Sequence, residues 1–118
     1  MQITNRQGHV LSVEFMGEST MAEDAKSLCI AIDQSTANQN NISLVMLLEH
    51  LKEENAAELV KALRCHCVKN ELLSKVALIG DHDPIIAQKT LEEVSWEEKY
   101  FEIEDINAAW RWANKEPY

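Results

Sequence analysis

Acidic and imidazole side chains follow each of two short apolar runs in this sequence. Glu49 and His50 come after the first run, and Asp81, His82 and Asp83 come after the second. Carboxylate and imidazole groups can bind a divalent metal or act as general bases. If both runs are parallel strands, these groups meet at the carboxyl edge of the sheet, where ligands of α/β proteins bind. We prefer a simpler explanation, in which Asp83 caps a helix and the other four are solvated loop residues.

The tripeptide Cys65-His66-Cys67 has the composition of a metal clip but lies in a helical pattern. Residues two apart on a helix point about 200° from each other, so these two thiols do not chelate one ion. Cys67 continues the apolar stripe of the helix, and Cys65 is expected to face outward. We therefore predict no metal and no cofactor.

Two tryptophans near the end of the chain are the other candidates for a binding surface. Trp110 and Trp112 are two residues apart on a predicted helix and point in different directions. Trp110 fits the apolar stripe and Trp112 lies at its boundary, so packing is the simpler explanation and ligand binding the alternative. The sequence has no Gly-rich phosphate loop and no Ser-His-Asp arrangement, so we predict no catalytic residue.

The elements that position these residues begin with an antiparallel hairpin. An extended segment starts at Ile3, the dipeptide Gln7-Gly8 offers a turn, and apolar residues alternate with polar ones over residues 11–15. Alternation of this kind indicates a strand with one buried face. The hairpin therefore forms the first two strands of the predicted sheet.

Two apolar runs predict the centre of the sheet. Residues 42–48 and 76–79 are almost continuously apolar, which is typical of parallel strands covered on both faces. A helix begins after Thr20, which with Glu23 forms a capping-box pattern. Further helices are predicted before the second run, after Asp83 and after a last strand at residues 100–103. The order β-β-α-β-α-β-α-β-α predicts an α/β fold with a mostly parallel five-stranded sheet and an N-terminal antiparallel hairpin.

Four stretches spread over essentially the whole chain carry a family resemblance. Gly17, Thr20 and Asp24 mark a strand-to-helix junction, and residues 76–81 form a central strand with its turn. Tyr100 and Phe101 lie in the last strand, and Ala109 and Trp112 lie in the closing helix. In these positions the chain resembles the SpoIIAA-like family of small bacterial proteins, relatives of STAS domains and of CRAL-TRIO lipid-binding domains. The resemblance implies a right-handed β-α superhelix with its strands mostly in sequential order. The length of 118 residues predicts a single domain over residues 1–118, since domains cluster at roughly 100 to 150 residues.

The loop after the central strand limits what the resemblance implies about activity. STAS domains of the anti-sigma-antagonist type carry a phosphorylatable serine in this loop. Here the loop is residues 49–55, and it contains no Ser or Thr. The phosphorylation switch is therefore not expected in this loop.

Charge and composition exclude several classes of function. The net charge of −9 opposes binding to nucleic acids and to anionic membrane surfaces, and leaves a basic protein surface or a neutral small molecule open as partners. The three cysteines do not suggest a disulfide framework. No apolar run has the length of a signal peptide or of a membrane span. We therefore expect a cytoplasmic protein with no membrane span.

The sequence leaves two functions open. The first is a non-catalytic, STAS-like binding or interaction module for a protein partner or an apolar, lipid-like small molecule. The alternative is a metal-assisted enzyme that uses the acid-histidine cluster. Because the central strand is apolar on both sides, its second face must be covered by a helix, a partner or a ligand, and the C-terminal helix with its two tryptophans is available to cover it or to flank an opening. We expect a homodimer, or a monomer that binds an apolar ligand. The candidate ligand-binding residues are Glu49, His50, Asp81, His82, Trp110 and Trp112.

Overall fold

The structure is a computed structural model that describes residues 2–7, 9–17, 20–37, 42–67, 73–80 and 96–114. Its strands form one sheet in chain order: β1 (Gln2–Gln7), β2 (Val10–Glu14), β3 (Ile42–Leu47), β4 (Leu73–Gly80) and β5 (Glu97–Glu102). Strands β1 and β2 pair antiparallel, and β2 to β5 pair parallel. Its α-helices are α1 (Met21–Thr36), α2 (Glu53–Cys67) and α3 (Ile106–Asn114).

The predicted fold class is confirmed, including the hairpin and the two apolar runs as adjacent parallel strands. The end of the last strand differs from the prediction, because Ile103 begins a 3-10 turn (Ile103–Asp105) that leads into α3. The predicted helix after Asp83 lies outside the described residues. Among the helices that are described, the longest has 16 residues and none is long and apolar enough to cross a membrane.

The first face of the sheet is covered by α1 and α2. Every residue of β3 is buried, and its alternate side chains Leu44 and Met46 contribute to one core cluster together with Leu28 of α1 and Leu59 of α2. Helix α1 starts where the sequence predicts, because the Thr20 hydroxyl accepts a hydrogen bond from a backbone N–H one turn into the helix. The helical pattern of the sequence thus places two amphipathic helices over this face.

The second face of the central strands is covered by α3. Val45 of β3 and Ala77 of β4 belong to a second core cluster with Ala109 and Ala113 of α3, and all four are fully buried. Small residues at these two helical positions let α3 lie close to the sheet. Of the covers that the sequence leaves open for this face, the closing helix is the one that packs against it over these strands.

Candidate functional site

The carboxyl ends of the central strands lie side by side. The backbone N–H of Phe15, just beyond β2, donates to the carbonyl of Leu47 at 3.2 Å. The N–H of Leu48, just beyond β3, donates to the carbonyl of Ile79 in β4 at 2.7 Å. The chain segments that follow β2, β3 and β4 therefore start from one edge of the sheet, where α/β proteins bind ligands.

Two glycines allow the neighbouring backbones to approach the loop after β3. Gly17 has a φ of 79°, and a Cβ built on it would lie 3.1 Å from the carbonyl oxygen of His50. A Cβ on Gly80 would lie 3.6 Å from the backbone carbon of Leu48 and 3.7 Å from the nitrogen of Glu49. The segment after β2 and the end of β4 thus flank the same loop, residues 48–51, which we call the carboxyl-edge loop.

The carboxyl-edge loop presents two of the predicted site residues to solvent. The loop is closed by a turn in which the N–H of Leu51 donates to the carbonyl of Leu48 at 3.0 Å. The imidazole Nε2 of His50 lies 3.5 Å from Oε1 of Glu49, and their side chains are 46% and 32% exposed. A carboxylate and an imidazole are therefore held next to each other and remain accessible to a partner.

Asp81 and His82, the other half of the predicted cluster, lie outside the described residues. The structure does describe Gly80, which directly precedes them and lies beside Glu49 in the carboxyl-edge loop. Strand ends β3 and β4 are thus neighbours, as the sequence predicts. Whether the four side chains form one cluster remains a prediction.

Tyr100 contributes to this edge, and no sequence pattern predicts it there. Its phenolic O–H donates to the carbonyl of Gly80, and its ring packs against the first core cluster. The bond fixes the end of β4 to β5. The available sequence signal is a tyrosine, with its polar hydroxyl, on a predicted edge strand. Tyrosines in such strands are too common for this signal to predict a hydrogen bond to a particular carbonyl.

The two tryptophans lie elsewhere and pack against the sheet. Both are half-buried beside the second core cluster, and the Trp112 ring lies 5.8 Å from that of Phe101. The ammonium of Lys75 lies 5.4 Å from the Trp112 ring centre and 3.0 Å from the Trp112 carbonyl oxygen. Trp112 thus lies between Lys75 and Phe101, and Phe101 pairs in register with Ile79, one residue before Gly80.

Helices α1 and α2 carry the cysteine side chains that the structure describes, and α2 also carries His66. Cys65 is exposed, as the helical spacing predicts. His66 Nε2 lies 2.9 Å from Oδ1 of Asp33, which links α2 to α1. Burial first, and Asp33 second, raise the pKa of the Cys29 thiol, which keeps it protonated and weakly nucleophilic at neutral pH. In the described part of the chain, no three His, Cys, Asp or Glu side chains come together as a metal site requires.

A family model described as SpoIIAA-like matches residues 10–114. The match covers most of the chain and all the described strands except β1. The chain therefore belongs to the SpoIIAA-like family, as its sequence resemblance indicated. No curated protein and no solved structure matches the chain.

Substitution of Gly17 tests how the carboxyl-edge loop is held. We expect Gly17→Ala to lower the free energy of unfolding by about 1–3 kcal/mol, because the new methyl group meets the His50 carbonyl and the residue keeps a positive φ. Gly80→Ala is the matched control, since its methyl group would make ordinary contacts and we expect a smaller loss. Urea unfolding of both variants measures the difference, and equal losses would contradict this description of the loop.

Proposed function

We propose that the chain is a non-catalytic, STAS-like interaction module that binds a protein partner through its carboxyl-edge loop. The observation that carries the proposal is the position of Glu49 and His50. Both side chains are accessible, and the loop that bears them is bounded by the close approaches of Gly17 and Gly80. A loop held in this way loses little conformational entropy on binding, which favours affinity.

The packing of the sheet favours a protein partner over an apolar small molecule. The apolar side chains of β3 are buried under α1 and α2 on one side and under α3 on the other. A lipid-like ligand would have to displace one of these helices to reach them. The net charge of −9 and the carboxylate of Glu49 favour a partner surface that is basic.

The metal-assisted enzyme is the second candidate, and one observation favours it. A Cβ built on Gly80 at the end of β4 would lie 3.7 Å from the Glu49 nitrogen, and Asp81 and His82 directly follow Gly80 in the sequence. Two imidazoles and two carboxylates are a sufficient ligand set for a divalent metal. In this alternative the same edge of the sheet would be the active site.

A thermal-shift screen separates these ligand classes, because any ligand selective for the folded state raises the melting temperature. Divalent metals, fatty acids and buffer alone are the three arms. Under the proposal, neither metals nor fatty acids shift the melting temperature by more than buffer does. Stabilisation by a metal that disappears in both His50→Ala and His82→Ala would favour the enzyme, and stabilisation by fatty acids would favour an apolar ligand.

Affinity capture from the cells that make the protein tests the partner directly. We expect Glu49→Lys to weaken capture of a specific partner by about tenfold or more, since it reverses a charge in the carboxyl-edge loop. Glu58→Lys is the matched control, because it makes the same change at an exposed position on α2. Equal capture by wild type and Glu49→Lys would contradict the proposal.

We propose in addition that the chain associates with a second copy of itself. Helix α3 covers the second face of the sheet over the central strands, so that part of the face is not open to a second copy. Three large apolar residues remain exposed among the described residues: Ile3, Met16 and Ile30. A homodimer would therefore use a surface other than the part of the second face that α3 covers.

A further inference from the structure

Strand β1 is an outer strand of the sheet and has one neighbour, β2, among the described residues. We propose that its free edge pairs antiparallel with β1 of a second copy, which joins two sheets into one. The inference rests on the proposed self-association and names the surface that it uses. Such an interface is isologous, because the same strand contributes from both copies.

Backbone geometry supplies the free donors and acceptors for this pairing. The His9 carbonyl accepts from Ser43 and the Phe15 N–H donates to Leu47, so the odd-numbered residues of β2 face β3. The even-numbered residues of β2 therefore face β1, where Val10 is opposite Gln7. Because successive residues of a strand direct their backbone N–H and C=O groups to opposite sides, those of Gln7 face β2 and those of Arg6 face the open edge. Arg6 lies outside the register shift between Ile3 and Asn5.

Charge makes β1 suitable for a second copy of this acidic chain. Two molecules of net charge −9 repel each other, and most of their surface segments carry carboxylates. No Asp or Glu occurs before Glu14, and the only charged residue of β1 is Arg6. Ile3 adds an apolar side chain that is 41% exposed. At β1 the two copies can therefore approach without carboxylates facing each other along the strand. The nearest carboxylate in the hairpin is that of Glu14, which pairs with Gln2 at the start of β1.

Strand β5, at the opposite edge of the sheet, is less suited to pairing with a second copy. Strand β5 carries four charged residues in six positions, and Glu97, Lys99 and Glu102 are exposed. Charged side chains on an edge strand are a common way in which proteins block edge-to-edge pairing. The contrast between the two edges therefore selects β1 as the edge that pairs.

Sedimentation velocity over a concentration series tests the pairing with a matched pair of variants. We expect wild type to pass from monomer to dimer, and Ile3→Glu to raise the dissociation constant by about tenfold or more, because it brings carboxylates into the interface. Ile30→Glu makes the same change at a residue of α1 that is 46% exposed, and we expect it to dimerise like wild type. Added salt should strengthen the wild-type dimer by screening the repulsion between copies.

Hydrogen exchange on the wild-type protein provides the second measurement, and it does not depend on the folding of a variant. We expect the amides of β1 to gain protection as concentration rises, while those of α1 stay constant. The pairing is ruled out if wild type stays monomeric over the series, if Ile3→Glu and Ile30→Glu behave alike, or if protection in β1 does not change. A monomeric wild type that still captures a partner through Glu49 would overturn this inference alone and leave the carboxyl-edge proposal in place.

Discussion

Replacement of Arg64 by methionine is expected to lower the free energy of unfolding by about 3–5 kcal/mol. The Nη2 atom of Arg64 in α2 contacts Oε2 of Glu98 in β5, and each side chain is 9% exposed. Without the guanidinium, the buried Glu98 carboxylate loses the oppositely charged partner that it has among the described residues. Because the pair joins a helix to the edge strand, we expect the docking of β5 to weaken as well.

The double variant Arg64→Met/Glu98→Leu separates the cost of an unpaired charge from the value of the pair. Replacing a whole buried pair with apolar residues of similar size is often neutral or stabilising. Among the described residues, this pair also leaves Arg64 Nε and Nη1 and Glu98 Oε1 buried without hydrogen-bond partners. We therefore expect the double variant to recover most of the stability that Arg64→Met loses.

Urea unfolding measures both variants, and Lys61→Met is the control at an exposed position of the same helix. We expect that control to change stability by no more than about 0.5 kcal/mol. The assignment of Arg64 and Glu98 as a buried pair would be wrong if Arg64→Met behaved like Lys61→Met. It would also be wrong if the double variant were less stable than Arg64→Met.

Replacement of Phe15 by alanine is expected to cost about 3–5 kcal/mol, the usual range for a large aromatic residue removed from a core. The Phe15 side chain is fully buried in the first core cluster, between the end of β2 and the turn at Gly17. Its N–H bonds to Leu47, so a cavity here also loosens the support of the carboxyl-edge loop. We therefore expect faster hydrogen exchange in residues 48–51.

Phe15→Leu is the control for that cavity, since leucine retains much of the buried volume and should cost clearly less. Equilibrium unfolding gives the two stabilities, and hydrogen exchange gives the effect on the loop. Equal losses for alanine and leucine would mean that the volume of Phe15 does not matter. Unchanged exchange in residues 48–51 would mean that the core does not hold the loop.

The features of the fold that depend on local patterns could be predicted from the sequence. Strands β3 and β4 were identified because continuous apolarity requires cover on both faces, and both are central. The start of α1 was identified because Thr20 has the chemistry of an N-cap, and it does cap the helix. In each case the signal lies within a few neighbouring residues.

Features that depend on distant contacts were not predicted. The approach of Gly17 to His50 depends on the register between β2 and β3, which no local pattern encodes. The pairing of Arg64 with Glu98 depends on how α2 lies against β5, and the two residues are 34 positions apart. The predicted last strand, residues 100–103, begins three residues later than β5 and ends one residue later, because an apolar residue after a strand fits a 3-10 turn equally well.

Hydrogen exchange of the protein alone and in complex with its captured partner tests the central claim most directly. The proposal predicts that the partner protects the carboxyl-edge loop, residues 48–51, and the segment at Phe15 to Gly17 that lies against it. Helix α3, on the second face of the sheet, should exchange as in the free protein. Protection confined to α3, with no change in the carboxyl-edge loop, would contradict the account.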